Sequence, residues 1–357
     1  IFFPLISFLS GLTTIIVLLA GGRRVLDGLM SPGELVALLS YLRMLIWPLM
    51  GAGFTVNMIQ RGAVALARVN EVLETEPAIR SPEHPPRPGI LSFPEPSGEA
   101  GEAVVEIRNL SFAYPGGEPV LEDINLTIER GTVVGILGRT GSGKSTLIKT
   151  LVRLVDPPPG TVFVKGLAVE QWDLSELRRV FGVSPQDSYL FSDTIKQNIA
   201  YGVENPDDAL LAGAAGIAAL DRDLETFSQG WETLIGERGL TLSGGQKQRL
   251  AVSRAIIGGA EALILDDAFS AVDAETETRI LGGLLEELRR GASSGKGART
   301  AIIVSHRVST LRNADKVVVL DKGRVSEYGG PQELIAGGGF YARAAALQRL
   351  AQGETGV

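Results

Sequence analysis

The sequence of 357 residues contains no cysteine and only two histidines, His84 and His306. A disulfide framework and a thiolate zinc site are thereby excluded, no imidazole cluster can form, and any metal must be held by oxygen. A basic block is also missing, and the net charge is −7, which argues against a chain whose main task is to grip duplex phosphates. Nucleic acid is not an expected partner. With 45% hydrophobic and 21% charged residues the chain is no disordered tail, and it is long enough for two or more cores.

Charge is absent altogether from Ile1 to Gly22, a stretch about as long as the ~20 residues a helix needs to cross hydrocarbon. A secretory signal is the competing reading, but there is no basic n-region and a second apolar stretch follows almost at once. That second stretch, from about Gly33 to Gln60, is interrupted only by Glu34 and Arg43. Arg43 either reaches the headgroups or faces a bundle interior or watery cavity. Pro48 should kink the same helix. Ser31 and Pro32 read as a helix start. Helical spacing then continues through Ile59, Leu66, Val69 and Leu73, with Arg61, Arg68 and Glu71 on the other face. Arginines flank both ends of the pair, Arg23 and Arg24 against Arg61 and Arg68, so charge alone does not orient it.

Pro77, Pro82, Pro85, Pro86, Pro88, Pro94 and Pro96 fall between Glu76 and Gly101, the composition of a stiff, extended linker. His84 sits in it as a solvated side chain. Three regions result: 1–75, two spans with a helical extension; 76–103, the linker; and 104–350, a folded domain. In the last, the β-rich runs Val104–Ile107, Ile124–Ile128, Val133–Leu137, Ala262–Leu265, Ala301–Val304 and Val317–Leu320 alternate with helical ones, which predicts a largely parallel sheet with crossovers.

The run Val133–Leu137 leads straight into Gly138-Arg139-Thr140-Gly141-Ser142-Gly143-Lys144-Ser145-Thr146, which opens a helix. Glycines at this spacing let backbone N–H groups curl around a β-phosphate, and the helix N-terminus adds its positive end. Lys144 is expected on the β- and γ-phosphates and the Ser145 hydroxyl on Mg²⁺. Downstream, Ala262–Leu265 ends in Asp266 and Asp267, two acids at a sheet edge that repel unless a cation is present. Asp266 is the expected Mg²⁺ residue, through water.

Leu242-Ser243-Gly244-Gly245-Gln246 then resembles the signature of the ATP-binding-cassette family. Ser243 and the N–H groups of Gly244 and Gly245 open a helix, a second phosphate cradle, which in that family closes over ATP held by the opposite subunit. Further motifs resemble the family in order. Phe112-Ala113-Tyr114-Pro115 is similar to the loop whose ring, here Tyr114, stacks on adenine. Ser184-Pro185-Gln186-Asp187 is similar to the loop whose glutamine, Gln186, touches Mg²⁺ and senses the membrane domain. Gly236-Glu237-Arg238-Gly239 resembles the exporter segment before the signature, and Ser270-Ala271-Val272-Asp273 the loop that passes between subunits. His306 resembles the switch histidine of the γ-phosphate. The resemblance implies an α-helical transmembrane segment, then an α/β P-loop NTPase domain with an antiparallel β subdomain and a helical signature subdomain. It also implies that the two spans correspond to the fifth and sixth of an exporter half, hence the C-terminal part of a longer multi-pass protein in the cell membrane with its nucleotide-binding domain in the cytoplasm.

At one position the sequence departs from the family. Where the family has a glutamate that polarises the attacking water, this chain has Asp267, whose carboxylate is retracted by about one C–C bond, ~1.5 Å. Hydrolysis at this chain's own P-loop is expected to be slow, since a ~1 Å misplacement costs on the order of 10²-fold. The resemblance then implies a heterodimer: a second exporter half supplies a glutamate to the site that Ser243 and Gly245 complete. A homodimer with a working Asp267 is the alternative. A soluble cassette ATPase acting on DNA would need a coiled coil or basic groove where this chain has apolar spans. The transported substrate is not legible; Tyr41, Arg43 and Trp47 suit a cavity or an interface belt alike.

Overall fold

The computed structural model describes residues 2–85, 102–236, 239, 242–293 and 299–351. Pro86, Pro88, Pro94 and Pro96 of the expected linker, and Glu237 and Arg238 of the exporter segment, lie outside the described residues. The chain divides into two compact units, residues 1–78 and 79–357.

The first unit is a pair of helices, α1 (Phe2–Leu26) and α2 (Pro32–Glu74). A capping box starts α2: the Ser31 hydroxyl accepts from the Glu34 N–H at 3.3 Å while the Glu34 carboxylate accepts from the Ser31 N–H at 2.8 Å. Two of the donors orphaned at a helix start are thereby satisfied. Pro48 lies inside the continuous α2. At 43 residues and 1.5 Å per residue, α2 is about 65 Å long, twice the ~30 Å hydrocarbon thickness, so one end must project beyond any bilayer that it crosses. Both helices are long and apolar enough to span a membrane, and their large apolar side chains, Phe8, Leu19, Trp47 and Phe54 among them, are exposed.

The second unit begins with β1 (Ala103–Ala113), β2 (Pro119–Glu129), β3 (Val133–Gly138), α3 (Lys144–Leu151), β4 (Val162–Val164), β5 (Leu167–Ala168), α4 (Leu174–Arg179) and β6 (Phe181–Ser184). Helices α5 (Ile195–Ala200), α6 (Asp208–Ile217), α7 (Asp221–Thr226) and α8 (Gly244–Ile257) follow. Next come β7 (Ala262–Asp266), α9 (Ala274–Ser293), β8 (Thr300–Ser305), α10 (Val308–Leu311), β9 (Lys316–Asp321), β10 (Arg324–Gly329), α11 (Pro331–Ala336) and α12 (Phe340–Ala351).

Six strands form one sheet in the order β10-β9-β3-β8-β7-β6, parallel except for the β10–β9 pair. Strands β3, β7, β8 and β9 read as nearly continuous apolar runs because both faces are covered. Val133, Leu137, Leu263, Leu265, Ile303 and Val317 join one core with α6, α8 and α9; Val134, Ile136, Ile264, Ile302 and Val318 join another with α3, β1 and β2. The period of two along a strand assigns neighbours to opposite cores.

The first two predicted runs do not enter the parallel sheet. They lengthen into β1 and β2, each of eleven residues, and pair antiparallel in a second sheet ordered β2-β1-β4-β5. No crossover helix lies between them, and a short connection can only return a strand antiparallel. Strand and helix alternation therefore misassigned these two runs, whereas the family resemblance implied the separate antiparallel subdomain.

The beginning of the expected linker is docked. The Ser81 hydroxyl donates to Asp173 at 2.9 Å and accepts from the Leu174 N–H at 3.0 Å, at the start of α4. His84 is exposed.

Candidate nucleotide site

Strand register brings the candidate residues to one edge. Leu137 pairs with Ser305, Val304 with Asp266 and Leu265 with Ser184, so the segments after β3, β8, β7 and β6 leave the sheet together at its carboxyl edge, where α/β sheets bind ligands.

The loop after β3 wraps its own helix start. Gly143 is the N-cap of α3 with φ +100°, and a Cβ there would lie 2.7 Å from Leu121 Cδ2; backbone strain and space both demand glycine. Lys144 Nζ donates to the carbonyls of Gly138 at 2.8 Å and Arg139 at 2.9 Å. Burial lowers its pKa, opposed by Asp267 and Asp266. Thr140 and Gly141 are exposed at the loop tip, while Ser142 is buried and its hydroxyl lacks a hydrogen-bond partner. A buried orphan hydroxyl is costly unless something meets it, and it belongs to the loop whose spacing suits a phosphate.

Asp266 closes β7, nearly fully buried. Burial raises its pKa, with Asp267 adding to the rise and the Ser145 hydroxyl, Lys144 and Lys149 opposing it. Ser145 and Asp266 thus present two oxygen ligands side by side. No group of three or more His, Asp or Glu side chains capable of holding a metal exists among the described residues. That sparse oxygen set fits Mg²⁺, which takes one or two protein oxygens and completes its shell with water and substrate phosphates.

Asp267 has a left-handed backbone, φ 48°, a conformation that Asp adopts more readily than most residues. Its N–H donates to Val304 O at 3.0 Å and its Oδ1 lies 3.0 Å from His306 Nδ1. Tyr114, between β1 and β2, brings its hydroxyl to 3.4 Å from Thr146 Oγ1 and stands edge-on to Phe112. Gln186 is exposed on the segment after β6.

The signature forms a second cluster. Ser243 caps α8: its hydroxyl accepts from the Gln246 N–H at 3.2 Å, and Gln246 Oε1 accepts from the Ser243 N–H at 2.9 Å. Gln246 Nε2 donates to Asp223 at 2.9 Å, and Arg249 donates to the other oxygen of Asp223 at 2.7 Å. The Gln246 side chain is therefore engaged at both ends within the chain. Gly244 and Gly245 let the start of α8 approach the next loop: a Cβ on Gly245 would lie 2.9 Å from Ala271 O. Asp273 ends that loop by accepting from the Thr276 N–H at 2.9 Å, and the hydrogen bonds from Thr276 lower its pKa.

Two side chains that the sequence reading passed over join the clusters. Gln248 Nε2 donates to Ser270 Oγ at 2.7 Å, and its Oε1 accepts from the Ala271 N–H at 2.8 Å. Arg307 donates to Glu277 at 3.0 Å and to Ser270 O at 3.1 Å. A glutamine on the buried stripe of α8 was the only available signal for the first. The second had none, since its partners lie 30 and 37 residues away.

Residues 121–270 match the ABC transporter family. The whole chain is 39% identical to the probable multidrug resistance ABC transporter ATP-binding/permease protein YheI of Bacillus subtilis, of which it spans 58%. It is 36% identical, over 97% of its length, to the ATP-dependent lipid A-core flippase of Syntrophus aciditrophicus, of which it spans 54%. The chain thus spans little more than half the length of these relatives. Among solved structures, a bacterial Atm1-family ABC exporter with ATP bound superposes with a TM-score of 0.74 at 31% identity, over 96% of this chain and 57% of that one. On this fold, residues 121–270 belong to the ABC transporter family, downstream in the chain from a pair of long apolar helices.

Proposed function

We propose that this chain is part of a membrane exporter half that pairs with a second, different half and uses ATP bound at the junction of their cassettes to drive export. Residues 1–75 contribute two spans to the lipid bilayer and a helical extension on its cytoplasmic side, and the domain at 104–350 lies in the cytoplasm. Relatives named for multidrug resistance and lipid A-core flipping support an apolar or amphiphilic substrate class.

In this reading Gly138, Thr140, Gly141, Ser142, Gly143, Lys144 and Thr146 hold the phosphates by backbone N–H groups, hydroxyls and the ammonium, and Tyr114 covers the base. Ser145, Asp266 and Gln186 would hold Mg²⁺, which would supply neutralisation of phosphate charge. His306 orients against the γ-phosphate. The Asp267 carboxylate, one methylene short of the family's glutamate, accepts the proton of the attacking water. Ser243, Gly244, Gly245 and Gln246 present the signature turn, with Asp273, to ATP on the partner.

The observation that carries the heterodimer is Asp267, an aspartate held against His306 at 3.0 Å beside a signature whose capping box is complete. A sound donor next to a shortened base suits a chain that serves its partner's site better than its own. Affinity purification of the full-length tagged subunit in detergent, with native mass measurement, tests it. The expected species is a one-to-one complex with a different half carrying glutamate at the corresponding position. A stable dimer of identical subunits, turning over equally at both sites, would establish Asp267 as an adequate base and overturn the proposal.

A further inference from the structure

His306 depends on its backbone for its aim. The imidazole is 54% exposed, and it sits in the two-residue turn between the end of β8 and the single helical turn α10. Sheet and helix leave polar groups of such a turn without internal partners: the carbonyl just past a strand end and the N–H of the first helical residue. Both go to one side chain. Gln348 Nε2 donates to His306 O at 3.1 Å, and Gln348 Oε1 accepts from the Val308 N–H at 2.8 Å.

Gln348 is delivered by α12. Tyr341 and Ala345 are buried in the core at 1% and 7% exposure, and Gln348 continues their face at spacings of four and three, the stripe of an amphipathic helix. Phe340 at the start of α12 carries the Arg139 guanidinium over its ring, 5.6 Å from the centroid, so the same helix also touches the loop after β3. On the far side of the turn, Arg307 is tied to Glu277 and Ser270 O. The peptide unit that follows His306 is therefore clamped by α12, and the side chain of the next residue by α9 and the Ser270 loop.

We infer that Gln348 is a positioning residue for His306, and that α12 holds the switch turn at the orientation hydrolysis requires. This rests on the reading that His306 meets the γ-phosphate. Losing both hydrogen bonds frees the turn without removing the imidazole, so nucleotide still binds while the hydrolytic geometry is populated less often. The expected loss lies between that of a neutral hydrogen bond and the ~10²-fold cost of a 1 Å displacement, about ten-fold.

The test uses the complete transporter and site-resolved turnover at this chain's own site. Gln348→Met keeps length and packing but has no amide; it should lower kcat about ten-fold with KM for ATP changed less than about two-fold, as Gln348→Ala should. His306→Ala should be slow, and His306→Ala with Gln348→Met should be no slower than His306→Ala alone, since two residues acting as one unit do not add. Wild-type-like turnover of Gln348→Met beside a slow His306→Ala overturns the positioning assignment. So does a double variant slowed by the full product of the single effects. An unimpaired His306→Ala protein overturns the reading of His306 itself, and a Gln348 effect would then run by another route.

Discussion

His306 Nδ1 and Asp267 Oδ1 lie 3.0 Å apart, joining the turn after β8 to the turn after β7 across the edge of the parallel sheet. The Asp267 carboxylate is thus held by His306, on a left-handed backbone at φ 48°. Its reach is set by a side chain one methylene shorter than the glutamate of the family pattern.

Asp267→Glu is expected to raise hydrolysis at this chain's own site, on the order of 10²-fold if placement alone limits the rate, with ATP affinity unchanged. Site-resolved single turnover measures it. No gain would remove placement of the base as the cause.

Asp266→Asn separates stability from chemistry. Burial raises the Asp266 pKa above 3.8, so the ligand-free folded chain holds this proton more tightly than the unfolded chain. Its destabilising contribution is absent below 3.8 and grows as pH rises from there to the folded value. In Asp266→Asn that contribution disappears, and the thermal midpoint without nucleotide should fall less over this window than in the parent. Mg²⁺-dependent hydrolysis should be lost in the same variant. A midpoint that tracks the parent at every pH contradicts the assignment.

Gly245→Ala places a methyl group 2.9 Å from Ala271 O, which is backbone and yields only if the loop moves. Destabilisation of about 1–3 kcal/mol is expected from overpacking. The sharper outcome is functional: hydrolysis at the partner's site falls while ATP binding at Lys144 is retained. Photolabelling of each subunit with an ATP analogue, alongside turnover, distinguishes the two sites.

Ser81→Ala tests the docking of the chain that leads away from α2. Hydrogen bonds from Ser175, then Ser81, then the Glu176 N–H hold Asp173 at about 2. A depressed carboxylate contributes stability above its unfolded pKa and loses it as pH falls toward the folded value, here from 3.8 to about 2. In Ser81→Ala the Asp173 titration should move up toward 3.8, as followed by carboxyl carbon resonances. An unmoved titration would show that the Ser81 contact does not persist in solution.

Local features were legible because their physics is local. The loop from Gly138 to Thr146 is contiguous, and its glycines are needed for the path of that same loop. The Ser243 and Gln246 capping box spans four residues and satisfies the helix it begins. Apolar runs marked β3, β7, β8 and β9, each buried on both faces. In contrast, β4, β5, β6 and β10 were missed; β4, β5 and β6 have three, two and four residues, and β10 alternates exposed with partly buried positions at a sheet edge.

The amino-acid order alone determined which atoms are available: no thiol, a phosphate loop, an aspartate where a glutamate is usual, and two apolar helices. Tertiary structure decided which of them meet. Gln248 reaches Ser270, Arg307 reaches Glu277, Ser81 reaches Asp173 and Gln348 brackets His306 over separations from 22 to 92 residues. Such pairings carry no local signature, because a polar side chain on a helix reads the same in sequence whether it faces water or the backbone of a distant turn.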